Sequence, residues 1–275
     1  MRTLFLALGA AALAAAPPAF AQVRAQAVPA KFTVTTRPGS TVGLDVSIAN
    51  LGEAPVVVRA RLADWVLSEQ GEMTLLPAGT TAATLAGLVQ FEPTEFSLQP
   101  GESGWIHLTM TLPPQGPSTR WGVLLSEVRP TVTPARARGP RAIAELGTTL
   151  YLSSVPPERA HADLIGLEAT PLPGDSLAVA VRVRDPGERH VYVTGEVALA
   201  DSAGARIVSG ALATGVVLPG GVRTFTWMCS SPMSPGWYTV TATLDTGEPE
   251  LAVGEVRIHL PLAPTLPPLA RRDTP

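Results

Sequence analysis

Only one cysteine, Cys229, occurs in 275 residues, so no intramolecular disulfide can staple the fold. Its neighbours Thr226-Trp227-Met228 suggest a small buried core residue. Lysine is almost as scarce: Lys31 is the only one, and every other basic residue is arginine. Charged residues make up 16% and the net charge is -3, with no basic stripe to pair with phosphates, which argues against nucleic acid as a partner. Aromatics are held to 5%. No apolar stretch after the N-terminus approaches membrane length.

The motifs of chemistry are missing as well. No phosphate loop and no calcium loop occurs. Gly101-Glu102-Ser103-Gly104 is not a nucleophile elbow, because its second glycine comes one residue early. His107, His161, His190 and His259 are scattered; His161 and Asp163 can share a strand face, but no third ligand is placed near them. Glu92, Glu95 and Glu102 read as solvated turn carboxylates rather than a catalytic pair. No enzyme activity, metal or cofactor is expected; a hydrolase finds no positive support.

What is present is turn chemistry around short apolar runs. The chain has 28 prolines and 25 glycines, spread between hydrophobic segments, and 45% hydrophobic residues, enough to bury a core. Met1-Arg2, the apolar run Leu4 to Ala16 and the small-x-small site Ala19-Phe20-Ala21 read as a cleaved signal peptide over residues 1–21. The mature chain is therefore expected to be exported, to the periplasm or the cell surface. A linker over 22–30 follows. Strands are then expected at Lys31 to Thr36, Val42 to Ala49, Pro55 to Leu67, on both sides of a turn at Gln99 to Glu102, at Arg120 to Val128 and at Ile143 to Ser153. After that turn, Ile106, Leu108 and Met110 share one face, and Trp105, His107 and Thr109 the other. Residues 72–90 are less regular, and Thr81 to Val89 is the one weak helical stretch.

A composition break falls at Ser153-Ser154-Val155-Pro156-Pro157. A second run of strands follows: Ala162 to Glu168, Ser176 to Arg184, Val191 to Ala200, Ala205 to Ala211, Gly221 to Cys229, Gly236 to Leu244 and Leu251 to His259. The fold class is all-β: two β-sandwiches in tandem, over 31–154 and 158–260, with a Pro-rich flexible tail over 261–275.

Four blocks of the first sandwich resemble the immunoglobulin-like N-terminal domain of periplasmic pilus-assembly (fimbrial) chaperones. They are "TVGLDVSIAN" with "APVVVRARLADW", "FEPTEFSLQPGESGWIHLTM", "STRWGVLLSEVRP" and "LGTTLYLSS", in that order and together covering roughly residues 30–154. The second block is also similar to Gram-positive surface domains with the same Pro-Gly-Glu signature.

The resemblance implies a non-enzymatic chaperone that lends an edge strand to an exported, pilin-like subunit. Main-chain hydrogen bonds would supply affinity and alternate side chains would fill pockets. It also implies cations in a cleft that hold the subunit's C-terminal carboxylate. The lending segment corresponds to Pro140 to Leu152, with Ile143, Glu145 and Gly147 on the lending face and Leu146, Thr148, Leu150 and Leu152 towards the core. The family has large apolar residues on that lending face, and its lysine position falls near Thr148 or Thr149. Arg37, Arg120 and Arg141 are the cations expected to form the cleft. The competing expectation is an envelope or cell-surface adhesion module that binds through a patch elsewhere, using Trp65, Trp121, Trp227 or Trp237.

Overall fold

In a computed structural model of the chain, residues 23–131, 143–155, 161–173, 176–230 and 234–260 are described. The expected signal peptide, the Pro-rich tail, Pro156-Pro157 and Arg141 lie outside the described residues. Within them the chain is built of strands, with no helix. The first sandwich contains β1 (Ala25–Val28), β2 (Lys31–Thr36), β3 (Thr41–Asn50), β4 (Val56–Leu67), β5 (Met73–Pro77), β6 (Val89–Glu92), β7 (Glu95–Leu98), β8 (Ser103–Thr111), β9 (Thr119–Pro130) and β10 (Ala144–Ser154). One sheet runs β1-β3-β8-β6; the other runs β2-β10-β9-β4-β5, with β7 also on β4.

Alternation decides which face of each strand is dry. Val46 and Ile48 of β3, Ile106, Leu108 and Met110 of β8, Leu124 of β9 and Leu150 and Leu152 of β10 meet in one core. Trp105, His107 and Thr109 point to solvent, as the alternation predicts. The turn after β7 is held from both sides. Glu102 donates its backbone N–H to the Gln99 carbonyl, and its carboxylate accepts from the Gln99 N–H at 2.7 Å. Buried Asn50 donates to the carbonyls of Ala54 (2.9 Å) and Gln99 (3.1 Å), tying this turn to the one after β3.

Three expectations need correction. Residues 23–30 are not all linker: Ala25–Val28 pairs antiparallel with Asn50–Ser47, a strand too short for its alternation to stand out in sequence. Thr81 to Val89 is not helical. Buried Asp64 accepts hydrogen bonds from the Thr81 N–H (2.8 Å) and hydroxyl (3.2 Å) and from the Thr84 hydroxyl (2.6 Å), which fixes a series of turns instead. Phe91 to Leu98 is two strands, because the chain leaves one sheet at β6 and joins the other at β7 across Pro93-Thr94. A proline has no N–H to give a ladder, so the change of sheet falls where the ladder would be broken anyway. The same happens at Pro29-Ala30, between β1 and β2; the peptide bonds before Pro29 and Pro93 are both cis.

The second sandwich pairs sheet β11-β12-β15 with sheet β14-β13-β16-β17. Its strands are β11 (Asp163–Leu172), β12 (Ser176–Arg184), β13 (Val191–Asp201), β14 (Arg206–Val217), β15 (Val222–Ser230), β16 (Gly236–Asp245) and β17 (Ala252–Leu260). Leu177, Val179, Val181 and Val183 face Val197, Leu199, Val240 and Leu244 across the core, and Cys229 is buried among them as expected.

Leu150 is fully buried between the two sheets of the first sandwich. Leu150→Ala should cost about 2–5 kcal/mol, the transfer of the lost methyls plus the cavity left behind. Urea unfolding of the purified chain measures it; a loss well under 1 kcal/mol would mean that this core is not packed as described.

Candidate functional site

Strand β10 has two unequal sides. Along β9 it is paired throughout, from Ala144↔Val128 to Ser153↔Thr119. Along β2 it is paired, in parallel, only from Thr149↔Lys31 to Ser154↔Thr36. Residues Ala144 to Thr148 therefore have no strand hydrogen-bonded to them on that side among the described residues; β1, which belongs to the opposite sheet, packs near β10 without joining its ladder. A half-strand of unpaired N–H and C=O groups is a template for another chain. Of the expected lending segment, Pro140 to Leu152, residues 140–142 lie outside the described residues, and the part from Thr149 onward is already paired with β2.

The side chains along the open half alternate as expected. Ile143 is 51% exposed, and Glu145 and Gly147 are exposed; Ala144 and Leu146 lean on the core and Thr148 is buried. Glu145 is engaged with Arg61 at 2.6 Å across the sheet. At the boundary, the Thr149 N–H donates to the Ala30 carbonyl (3.0 Å) and the Thr148 hydroxyl to the Pro29 carbonyl (3.1 Å). These two bonds hold the point at which β2 begins.

That point is Lys31. Its side chain is exposed, and Nζ lies 4.0 Å from the centroid of the Tyr192 ring, which belongs to the second sandwich. Behind it, His190 stacks on Tyr151 (4.1 Å between centroids) and meets Tyr192 edge-on (5.4 Å). The lysine is therefore held where the two sandwiches meet, at the end of the open edge.

The meeting of the sandwiches is fixed by packing and by one carboxylate. Trp65, Trp121, Val123, Leu125 and Tyr151, on the outer face of the β10-containing sheet, form a cluster with Leu218 and Val216. Glu69, in the turn after β4, accepts from Arg182 Nε (2.7 Å) and the Thr224 hydroxyl (3.0 Å), and its carbonyl accepts from the Thr224 N–H (2.6 Å). The hydrogen bond from Arg182 holds the Glu69 carboxyl below its usual range.

The arginines are placed differently from the expectation. Arg37 lies in the turn after β2, six residues from Lys31, roughly 20 Å along an extended chain. Arg120 pairs across from Leu152, and its guanidinium reaches the carbonyls of Ala82 (3.4 Å) and Gln115 (3.5 Å). Both are at the far end of β10 from Ile143, Glu145 and Gly147, so they form no basic cleft with the open edge. Sequence reasoning missed Lys31 because its neighbour Thr149 is distant in the chain, and only the parallel register joins them. Of the four tryptophans considered for a surface patch, Trp65, Trp121 and Trp227 are core, while Trp237 is 52% exposed. His161 and Asp163 do meet, at 2.9 Å, but Glu248 takes the other ring nitrogen (3.0 Å) and Arg184 the other carboxylate oxygen (2.7 Å).

Two buried groups near this junction titrate in opposition. Burial pushes His190 down to about 4, with the charges of Arg189 and Lys31 adding to the effect. Burial pushes Asp185 up to about 6, against one hydrogen bond from the Gly187 N–H. For His190, stability is fully present above its ordinary 6.5 and is lost as pH falls towards 4. For Asp185, a penalty present above about 6 is relieved as pH falls towards 3.8. Each is worth roughly 3 kcal/mol at about 1.36 kcal/mol per pH unit, so the two nearly cancel. Asp185→Asn should therefore lose roughly 3 kcal/mol between pH 7 and pH 4 relative to wild type, and His190→Phe should gain a similar amount. Urea midpoints at the two pH values measure this, and parallel curves for all three proteins would refute it.

No protein-family model and no curated protein sequence matches the chain. Among solved structures, it is similar to the YadV chaperone at 13% identity, covering 85% of this chain and 99% of that one, with a TM-score of 0.44. It is similar to the CupB2 chaperone of Pseudomonas aeruginosa at 13% identity, covering 82% and 96%, with a TM-score of 0.43. It is also similar to the CsuC–CsuE chaperone–tip adhesion subunit complex of Acinetobacter baumannii at 10% identity, covering 84% and 97%, with a TM-score of 0.46.

Proposed function

We propose that this protein is a non-enzymatic, exported chaperone-like protein that binds the terminal strand of another exported β-rich protein, such as a pilus or surface-fibre subunit, along the open half of β10. Export through the signal peptide read at residues 1–21 would bring it to the periplasm. The observation that carries the binding reading is the stop in pairing: β2 covers β10 from Thr149 onward and leaves Ala144 to Thr148 open.

The geometry supports a direction for the incoming strand. β2 runs parallel to β10 and begins at Lys31. A guest strand in line with β2, and parallel to β10, would end where β2 starts. Its C-terminal carboxylate would then arrive at the Lys31 ammonium, with Thr149 beside it, and a charge-assisted hydrogen bond there would fix the register. Lys31 would take the part that the family resemblance implied for the cleft cations. Tyr192 would steady the lysine from the second sandwich, which explains why binding would need both.

The side chains support a modest role for pocket filling. Of the three lending-face residues, only Ile143 is large and apolar; Glu145 is paired with Arg61, and Gly147 offers no side chain. Affinity would come mainly from main-chain hydrogen bonds and from the carboxylate at Lys31.

The test is co-purification of the tagged mature chain with exported β-rich proteins from periplasm, followed by titration of the captured partner. Lys31→Ala should weaken binding by about tenfold or more, the worth of one hydrogen bond to a charged group. Amidating the partner's C-terminus should have the same effect, with no further loss in the double change. Ile143→Asp should weaken binding independently. A partner that binds all of these variants equally well would move the site off this edge and sink the reading.

A further inference from the structure

The outer face of sheet β14-β13-β16-β17 carries a trough that the strand-pairing site does not use. Its floor is small and hydroxylated: Thr239, Thr241 and Thr243 of β16 lie beside Ala198 and Ala200 of β13. Its rim is charged: Glu196 and Arg206 on one side, Glu255 on the other. One end is closed by the turn between β13 and β14. There the Asp201 carboxylate accepts from the N–H groups of Ala203 and Ala205 (both 2.9 Å), and Gly204 adopts φ +82°. The volume is about 380 Å³, within the range of small-ligand sites. That is too narrow a hollow for a protein domain and large enough for a short linear molecule.

Further along the same face of β16 stands Trp237, 52% exposed. It pairs across from His259, with ring centroids 5.0 Å apart, and the Arg257 guanidinium lies 5.4 Å from its ring. Thr239 lies between Trp237 and Thr241 on this face, so the ring continues the line of the threonine floor.

The charges in the trough are largely spent on each other. Arg206 pairs with Glu196 at 3.0 Å, and the Thr241 hydroxyl donates to Glu255 at 3.2 Å. An ionic ligand would have to break these contacts and would meet both signs of charge at once. A neutral ligand rich in hydroxyl groups meets no such conflict. Its hydroxyls can both donate to the carboxylates and accept from the guanidinium groups and threonines, and its C–H faces can lie on an indole. We infer that this face is a binding site for a neutral oligosaccharide chain, lying along β16 from Thr243 to Trp237. The inference is independent of strand pairing at β10.

The experiment uses the full mature chain on a printed array of neutral, sulfated and sialylated glycans. Calorimetric titration follows, with hexamers of β-1,4-linked glucose, β-1,4-linked N-acetylglucosamine and α-1,4-linked glucose. Saturable binding of at least one neutral glycan is expected. It should fall about tenfold or more in Trp237→Ala, and likewise in Thr241→Glu, which fills the floor with a charge. Both positions are outside the core, so folding can be checked by circular dichroism alongside. Trp105→Ala, an exposed tryptophan on the other sandwich, should bind as wild type does. Retention of no neutral glycan would overturn the inference. So would a preference for charged glycans, or binding that survives both trough substitutions.

Discussion

The parallel pairing of β2 with only half of β10 is the contact on which the rest of the candidate site depends. Had β2 begun five residues earlier on the ladder, β10 would be an interior strand with nothing to offer. Because it begins at Lys31, one contact does three things. It seals the second half of β10, leaves the first half open, and puts a cation at the boundary. The crossing at Pro29-Ala30 is what makes this possible, since β1 is committed to the opposite sheet until that point. The carbonyls of Pro29 and Ala30 are taken by the Thr148 hydroxyl and the Thr149 N–H, so the crossing is anchored to the very strand it exposes.

The second sandwich is part of this arrangement and not a mere appendage. Trp121 and Tyr151 look outward from their own sheet, where a single sandwich would meet water, and are instead covered by Leu218 and Val216. Tyr192 and His190 extend the same contact to Lys31. The aromatic stack thus connects the packing between the sandwiches to the Lys31 ammonium at the end of the open edge.

Much of the fold could be read from sequence because strand alternation and turn residues are local. The expected strand at Lys31 to Thr36 coincides with β2, and Ser176 to Arg184 with β12. The dry face of Ile106, Leu108 and Met110 follows from alternation alone. What escaped was non-local or too short. The strand Ala25–Val28 has only four residues in which to show a period. The crossing at Pro93 looks like an ordinary interruption until the two sheets are known. At the candidate site, the open face of Ile143, Glu145 and Gly147 was legible, but the cation was not. Arg37 is close to the first strand in sequence, whereas the place of Lys31 is set by a register that joins residues over a hundred positions apart. Trp237 was legible only as one of four, since alternation within a sandwich does not say which outer face another sandwich will cover.

The apolar outer face of Trp65, Trp121 and Tyr151 has a consequence for how the molecule must be made. The first sandwich is synthesised before the strands that cover this face. From the moment it closes until Leu218 arrives, it carries an adhesive surface with no occupant. The chain would thus need shelter of its own during its birth, and a fragment ending near Ser154 would never outgrow that need.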